Sequence, residues 1–156
     1  MNEFTHLDSS GAARMVDVTE KQVTDRRATA RAVVTVGPEV VNLLRGAGVP
    51  KGDALAVARV AAIAGTKRTP DLIPLCHPIA VHGVDVHIEV MDSGVEITVT
   101  VRTADRTGVE MEALTGASVG ALATIDMVKG VDRMAAIDRV ELLEKSGGRS
   151  GTWTRP

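Results

Sequence analysis

The chain has 156 residues, with 18 basic against 20 acidic side chains and a formal charge of −2. That length suits one domain with a proper core, and the near balance of charge excludes a global field that would draw it to nucleic acid or a membrane surface, so any anion must be bound locally. Aromatic residues are nearly absent, Phe4 and Trp153 lying near the termini with no tyrosine between them, which removes stacking platforms for single-stranded nucleic acid.

Taken in chain order, residues 1 to about 16 are polar and glycine-containing and read as a loose arm ending in Met15, Val16, Asp17 and Val18. Ala30 to Val36 is short and valine-rich and stops at Gly37-Pro38, the pattern of a strand. Glu39 to Arg45 follows as a short helix with Pro38 suited to its first turn. Gly46 to Pro50 is a turn, after which Asp53 is placed to cap a second helix, Ala54 to Gly65. Leu55, Val57, Ala58, Val60, Ala61, Ala62 and Ile63 make that helix apolar nearly all round, so it is expected to be largely buried. In TPDLIPLCHPI the prolines Pro70, Pro74 and Pro78 rule out a regular helix or a central strand and leave an ordered loop.

Val84 to Met91 and Val95 to Arg102 each alternate apolar with polar residues and are joined by Asp92-Ser93-Gly94, a hairpin with one covered face. Thr107 to Gly130 repeats apolar residues at helical spacing, with Thr107 and Glu110 fitting a capping box. Its middle is thin: Gly116 and Gly120 each weaken a helix by about 1 kcal/mol relative to alanine, so a neighbouring backbone must approach closely to offset them. Ile137 to Lys145 is a last strand before SGGRSG. Helices on one face of an antiparallel sheet give an α+β fold close to the ferredoxin-like order. One domain spans 1–156, with 146–156 expected as a mobile tail.

Cys76 is the single cysteine, so no internal disulfide can form, and the setting expected is reducing and cytoplasmic. No apolar run reaches the roughly 20 residues of a membrane span, and the first residues lack a secretory signal. Cys76 and His77 sit side by side on the proline-stiffened loop; no CxxC or HExxH spacing completes a zinc site, leaving His77 as a hydrogen-bonded structural residue, a ligand or a proton donor. Lys51 precedes a helix start where a phosphate could rest, or is simply solvated. Lys145 to Gly151 is basic and glycine-rich but lacks phosphate-loop spacing. Arg26 and Arg27 read as charged residues in a polar segment.

Asp126 and Lys129 share a helix face three residues apart and can pair. Glu112 and Asp126 fall within about 40° of one face but about 21 Å apart along a continuous helix. One small ligand can hardly touch both, so a shared site would need a second copy of the chain.

Together, MVDV (15–18), KGD (51–53), KRTPDLIPLCHPI (67–79), TGVEMEALTGASVGALATIDMVKG (107–130) and KSGGRSG (145–151) resemble the cyclic pyranopterin monophosphate synthase family, also called molybdenum cofactor biosynthesis protein C. The resemblance covers nearly the whole chain. It implies a ferredoxin-like subunit in a hexamer built as a trimer of dimers, with sites at subunit interfaces and no nucleic-acid or membrane partner. It implies a lyase that rearranges 3′,8-cyclo-7,8-dihydroguanosine 5′-triphosphate to cyclic pyranopterin monophosphate with release of pyrophosphate. Asp126, Lys51, Lys129 and His77 match the catalytic positions. Leu75, Cys76, His77, Glu110, Met111, Glu112, Arg26 and Lys145 match substrate-binding positions. No cofactor or protein-held metal is expected; magnesium with the triphosphate stays open. Two other readings remain: a non-catalytic pterin or nucleotide sensor on the same fold, and a structural oligomer in which the thin helix only packs.

Overall fold

The computed structural model describes residues 5–46 and 48–156. The first four residues of the expected arm, and Ala47 of the expected turn, lie outside them. In chain order the elements are β1 (Thr24–Thr35), α1 (Pro38–Arg45), α2 (Ala54–Thr66), α3 (Thr69–Leu72), β2 (Gly83–Met91), β3 (Gly94–Asp105), α4 (Glu110–Val128), β4 (Ala136–Ser146) and β5 (Trp153–Thr154). The strands form one antiparallel sheet in the order β2-β3-β1-β4-β5, a mixed α/β architecture.

Alternation along the strands decides what the sheet covers. Ala28, Ala30, Ala32 and Val34 of β1 stand opposite Val101, Val99, Ile97 and Val95 of β3, and all eight are fully buried. Val84, Val86, Ile88 and Val90 extend that apolar face across β2. The intervening residues make a polar face: Thr29 Oγ1 lies 2.9 Å from Thr100 Oγ1, Arg31 pairs with Glu141, and Arg102 Nη2 reaches Asp85 at 2.6 Å. β2 and β3 are the expected hairpin, closed by the two residues Asp92 and Ser93 between the paired Met91 and Gly94.

The close approach expected of the thin helix is present. A Cβ added at Gly116 would lie 2.7 Å from Thr66 Cγ2 and 3.0 Å from the Ala62 carbonyl, and one at Gly120 would lie 3.2 Å from Ala62 Cβ. Residues rising along α4 meet residues falling along α2, so the two helices run antiparallel. The start of α2 therefore sits beside the end of α4, and whatever follows α2 arrives at the start of α4.

Five expectations need correction. The first strand begins at Thr24 rather than Ala30, because Arg26 and Arg27 pair with Thr103 and Arg102 across the sheet end, where charged side chains reach water. The proline loop opens with the four-residue α3, since Pro70 falls in its first turn, where no amide hydrogen is needed. The capping box at Thr107 does not form: α4 starts at Glu110 after Val109, with no side-chain cap, because the Glu110 carboxylate is drawn to Lys145. Helix α2 is not buried all round. Only Ala54, Ala58, Ala62, Gly65 and Thr66 are buried, while Val60 on its outer side is 66% exposed. Finally, β5 is a strand the sequence pattern does not suggest, pairing Trp153 and Thr154 with Lys145 and Glu144. At the other end of the chain, residues 6–14 hold a hydrogen-bonded turn, with Asp8 N donating to Ala12 O and Arg14 N to His6 O.

Asp53 caps α2 as expected, its Oδ1 accepting from Ala56 N at 3.0 Å. Among the described residues no helix is long and apolar enough to cross a membrane.

Candidate active site

The antiparallel pairing of α2 and α4 fixes one group of site residues. Gly52 N donates to Val49 O at 3.0 Å, closing a turn that holds Lys51 at its corner just ahead of α2. Lys51 Nζ then reaches Asp126 Oδ2 at 2.9 Å and the Asp126 carbonyl at 3.1 Å. Lys129, one helical turn beyond Asp126, donates to Oδ1 at 2.6 Å. One carboxylate thus carries two ammonium groups, and the cluster keeps a net positive charge. Lys129 first, and Lys51 after it, hold the half-exposed Asp126 carboxyl down at about 2, so it stays ionised well into the acid range.

The second group gathers at the start of α4. Loop 73–82 follows α2 and α3 and is delivered there, placing Leu75, Cys76 and His77 half-buried. The His77 ring Nε2 lies 2.6 Å from the Val16 carbonyl, so the N–H sits on Nε2 and donates to it, and a neutral ring presents Nδ1 as acceptor. Burial, with the Glu112 charge as a smaller cause, raises the Cys76 thiol. Glu112 is only 3% exposed, and its carboxyl is pushed up to about 7. Burial is the main cause, opposed by a hydrogen bond to its own backbone, with the charges of Glu110 and Asp105 adding. Such a group holds a proton about half the time at neutral pH, which suits acid or base work. Met111 beside it is exposed.

Lys145 connects this end to the tail. β4 places it opposite Ala28, on the helix-covered side, where Nζ donates to Glu110 Oε1 at 2.9 Å and to Ser150 Oγ at 3.1 Å. Arg26 lies near by, its Nε and Nη2 donating to the carbonyls of Asp105 at 3.0 Å and Arg106 at 3.2 Å. Its orientation is set by uncharged acceptors, so its charge stays available.

The sequence-predicted residues therefore fall into two groups at opposite ends of α4: Lys51, Asp126 and Lys129 at one, and Leu75, Cys76, His77, Glu110, Met111, Glu112, Arg26 and Lys145 around the other. Glu112 and Asp126 are fourteen residues apart, about 21 Å along a helix. A single chain does not bring them together. Sequence reasoning passed over Lys21 and Thr24 and singled out Arg149 and Ser150 only as part of a basic, glycine-rich tail; all four line a cavity together with Arg26. The glycine-rich tail was the available signal for the last two; nothing in the local pattern marked the others. Among the described residues no three His, Cys, Asp or Glu side chains are grouped for a metal ion.

Comparison with protein families matches residues 15–148 to the MoaC family, a span that takes in both groups. A Streptomyces griseus protein named cyclic pyranopterin monophosphate synthase is 64% identical over 99% of this chain and 87% of its own length. A Streptomyces coelicolor protein of the same name is 63% identical, covering 99% and 91%. One from Thermomicrobium roseum, also of that name, is 55% identical over 99% and 95%. The matched span takes in both ends of α4, the LCHP loop and the strand bearing Lys145, and on this match the chain belongs to the MoaC family.

Proposed function

We propose that this chain is a cyclic pyranopterin monophosphate synthase, the activity for which its relatives are named. In this reading it is a lyase of molybdenum cofactor biosynthesis. It takes 3′,8-cyclo-7,8-dihydroguanosine 5′-triphosphate to cyclic pyranopterin monophosphate and releases pyrophosphate, in the cytoplasm and without a resident cofactor. The observation that carries it is the Asp126 carboxylate held between Lys51 and Lys129.

The division of labour follows from the geometry. Opening the imidazole part of the purine, closing a new ring and forming a cyclic phosphate all require proton movement. Asp126, ionised between two ammonium groups, accepts a proton or orients the lysines, which donate to developing negative charge. Glu112, near neutrality in its protonation, gives or takes a proton at the guanine-derived ring, and Glu110 accepts from its N–H edge. His77, fixed through Val16, adds a further donor or acceptor. Arg26 and Lys145 hold phosphate.

The subunit is ferredoxin-like, its strand order and split helices following that pattern. It works as a homohexamer, a trimer of dimers. The separation of the two groups along α4 supports sites at subunit interfaces, where one copy supplies the Lys51–Asp126–Lys129 end and its neighbour the Glu112–His77 end. Incubating the purified protein with the cyclised triphosphate and following pyrophosphate over many turnovers tests the activity. A protein that binds this compound without turning it over is a sensor, and the proposal is then wrong. For the assembly, mixing Asp126→Asn chains with Glu112→Gln chains is expected to restore part of the activity lost in each alone; a mixture as inactive as its parents argues against shared sites.

A further inference from the structure

The turn between α1 and α2 is tied down at both ends. On the α1 side Gly46 N and Gly48 N both donate to the Leu43 carbonyl, at 3.2 and 2.8 Å, and Val49 is buried. On the α2 side Asp53 caps the helix through its contact with Ala56 N. Between these anchors Val49 and Gly52 form a bridge, Gly52 N donating to Val49 O at 3.0 Å. From that frame the Lys51 side chain crosses to the end of α4, where Nζ meets Asp126 Oδ2 at 2.9 Å and the Asp126 carbonyl at 3.1 Å. The bridge depends on Gly52. Its φ is +120°, a backbone conformation that residues with a side chain rarely adopt, yet a Cβ added there would meet nothing within 4 Å. The space is open and only the torsion is demanding, so the backbone path, not packing, requires a glycine here. Rotation about that bond turns Lys51 against α2, and α2 is packed on the helix that carries Asp126.

We infer that Gly52 is a positioning residue for Lys51: its left-handed torsion sets the direction in which the lysine leaves the turn and so aims the ammonium group at Asp126. The inference rests on the synthase reading above and adds a residue to it. Gly52 has no side chain with which to touch a reacting molecule, so its contribution passes entirely through Lys51. Lys129 reaches Asp126 from within α4 and does not depend on the turn. Loss of the Gly52 torsion therefore strips one of the two ammonium groups from the carboxylate and leaves the other in place.

Gly52→Ala in the full-length protein is the test, because it disturbs the torsion without adding a clash. Gly11→Ala is the matched control: Gly11 is also left-handed, at φ +83°, and also has open space where a Cβ would stand, but it lies in the turn of residues 6–14. With the cyclised triphosphate, Gly52→Ala is expected to lower kcat about tenfold, the size of one lost charge-assisted contact, and to cause no further loss in a Lys51→Ala chain. Gly11→Ala leaves turnover unchanged. Asparagine tolerates positive φ better than alanine, so Gly52→Asn is expected to keep more of the activity, and it carries the same comparisons if the alanine variant does not fold. A readout independent of turnover comes from NMR of chains labelled at aspartate. The Asp126 carboxyl should titrate higher in Gly52→Ala, by as much as in Lys51→Ala, and should not move in Gly11→Ala. An Asp126 titration unchanged by the Gly52 substitutions, or a further tenfold loss when Gly52→Ala is added to Lys51→Ala, overturns the inference. If the titration shifts as expected but the parent chain releases no pyrophosphate over many turnovers, the synthase reading falls and the hold of Gly52 on Lys51 stands.

Discussion

At its start α4 carries Glu112, almost wholly buried, with a carboxyl pushed up to about 7; near its end it carries Asp126, half exposed, with a carboxyl held at about 2. The helix dipole alone predicts the reverse, since it favours a negative charge at the first turn and opposes one at the last. Burial overrides it at one end and two lysines override it at the other. The dipole contributes up to about 1 kcal/mol, whereas raising a carboxyl from 4.5 to about 7 corresponds to about 3 kcal/mol. Two carboxylates on one helix are thereby assigned different jobs by what surrounds them, one ready to exchange a proton and one kept ionised.

Asp126→Asn makes the largest difference to this contrast. It removes the charge that orders Lys51 and Lys129, and turnover is expected to fall about a hundredfold or more, with little change in melting temperature because the side chain is exposed. Near-normal pyrophosphate release by this variant breaks the comparison at the Asp126 end. Glu112→Gln tests the other end through stability. Because the folded carboxyl has a raised value, the folded state binds the extra proton between about 4.5 and about 7, and stability is lost as pH rises through that window. Replacing it with a neutral isostere should leave stability unchanged near pH 4 and add about 2 to 3 kcal/mol near pH 8, read by denaturant unfolding at both pH values. A gain equal at both pH values would mean that burial does not set the group. The rate profile should also lose its bend near pH 7 in this variant.

Smaller effects sharpen the picture. Asp53→Ala removes the cap of α2 and loosens the turn holding Lys51; about 1 kcal/mol of stability should go, with the loss of protection in hydrogen exchange confined to residues near 50–57. Lys145→Ala breaks a partly shielded pair with Glu110 and should cost about 0.5 to 1 kcal/mol in thermal unfolding, together with weaker substrate binding.

The sequence carried the fold where periodicity was strong. The alternation of Val84 to Arg102 located the hairpin, and Gly116 and Gly120 foretold a backbone at close range. It was weaker where charge masked a strand. Asp25, Arg26 and Arg27 look like solvated loop, yet they continue β1 because the open face and the sheet end accept charged side chains. The capping box failed for a long-range reason: Lys145, thirty-five residues away, claims the Glu110 carboxylate, and local spacing cannot register that competitor. Among the site residues, motifs marked Lys51, His77, Glu112 and Asp126, but not the split between the two ends of α4 in protonation. That split comes from burial at the Glu112 end and, at the other, from ion pairing of Asp126 first with Lys129, which the spacing did mark, and then with Lys51, far away in the chain. Lys21 and Thr24 had no local mark, since an isolated lysine and threonine become a cavity wall only once β1 meets the tail.

Bare backbone at Gly116 and Gly120 presses α4 against α2 with almost no side-chain cushion between them. A helix seated that way behaves as a gauge block: it cannot slide or roll by swapping rotamers, so the interval between its proton-exchanging head and its lysine-clamped foot is constant. Whatever rearrangement a reacting molecule demands must then come from the LCHP loop or the glycine turn of the tail.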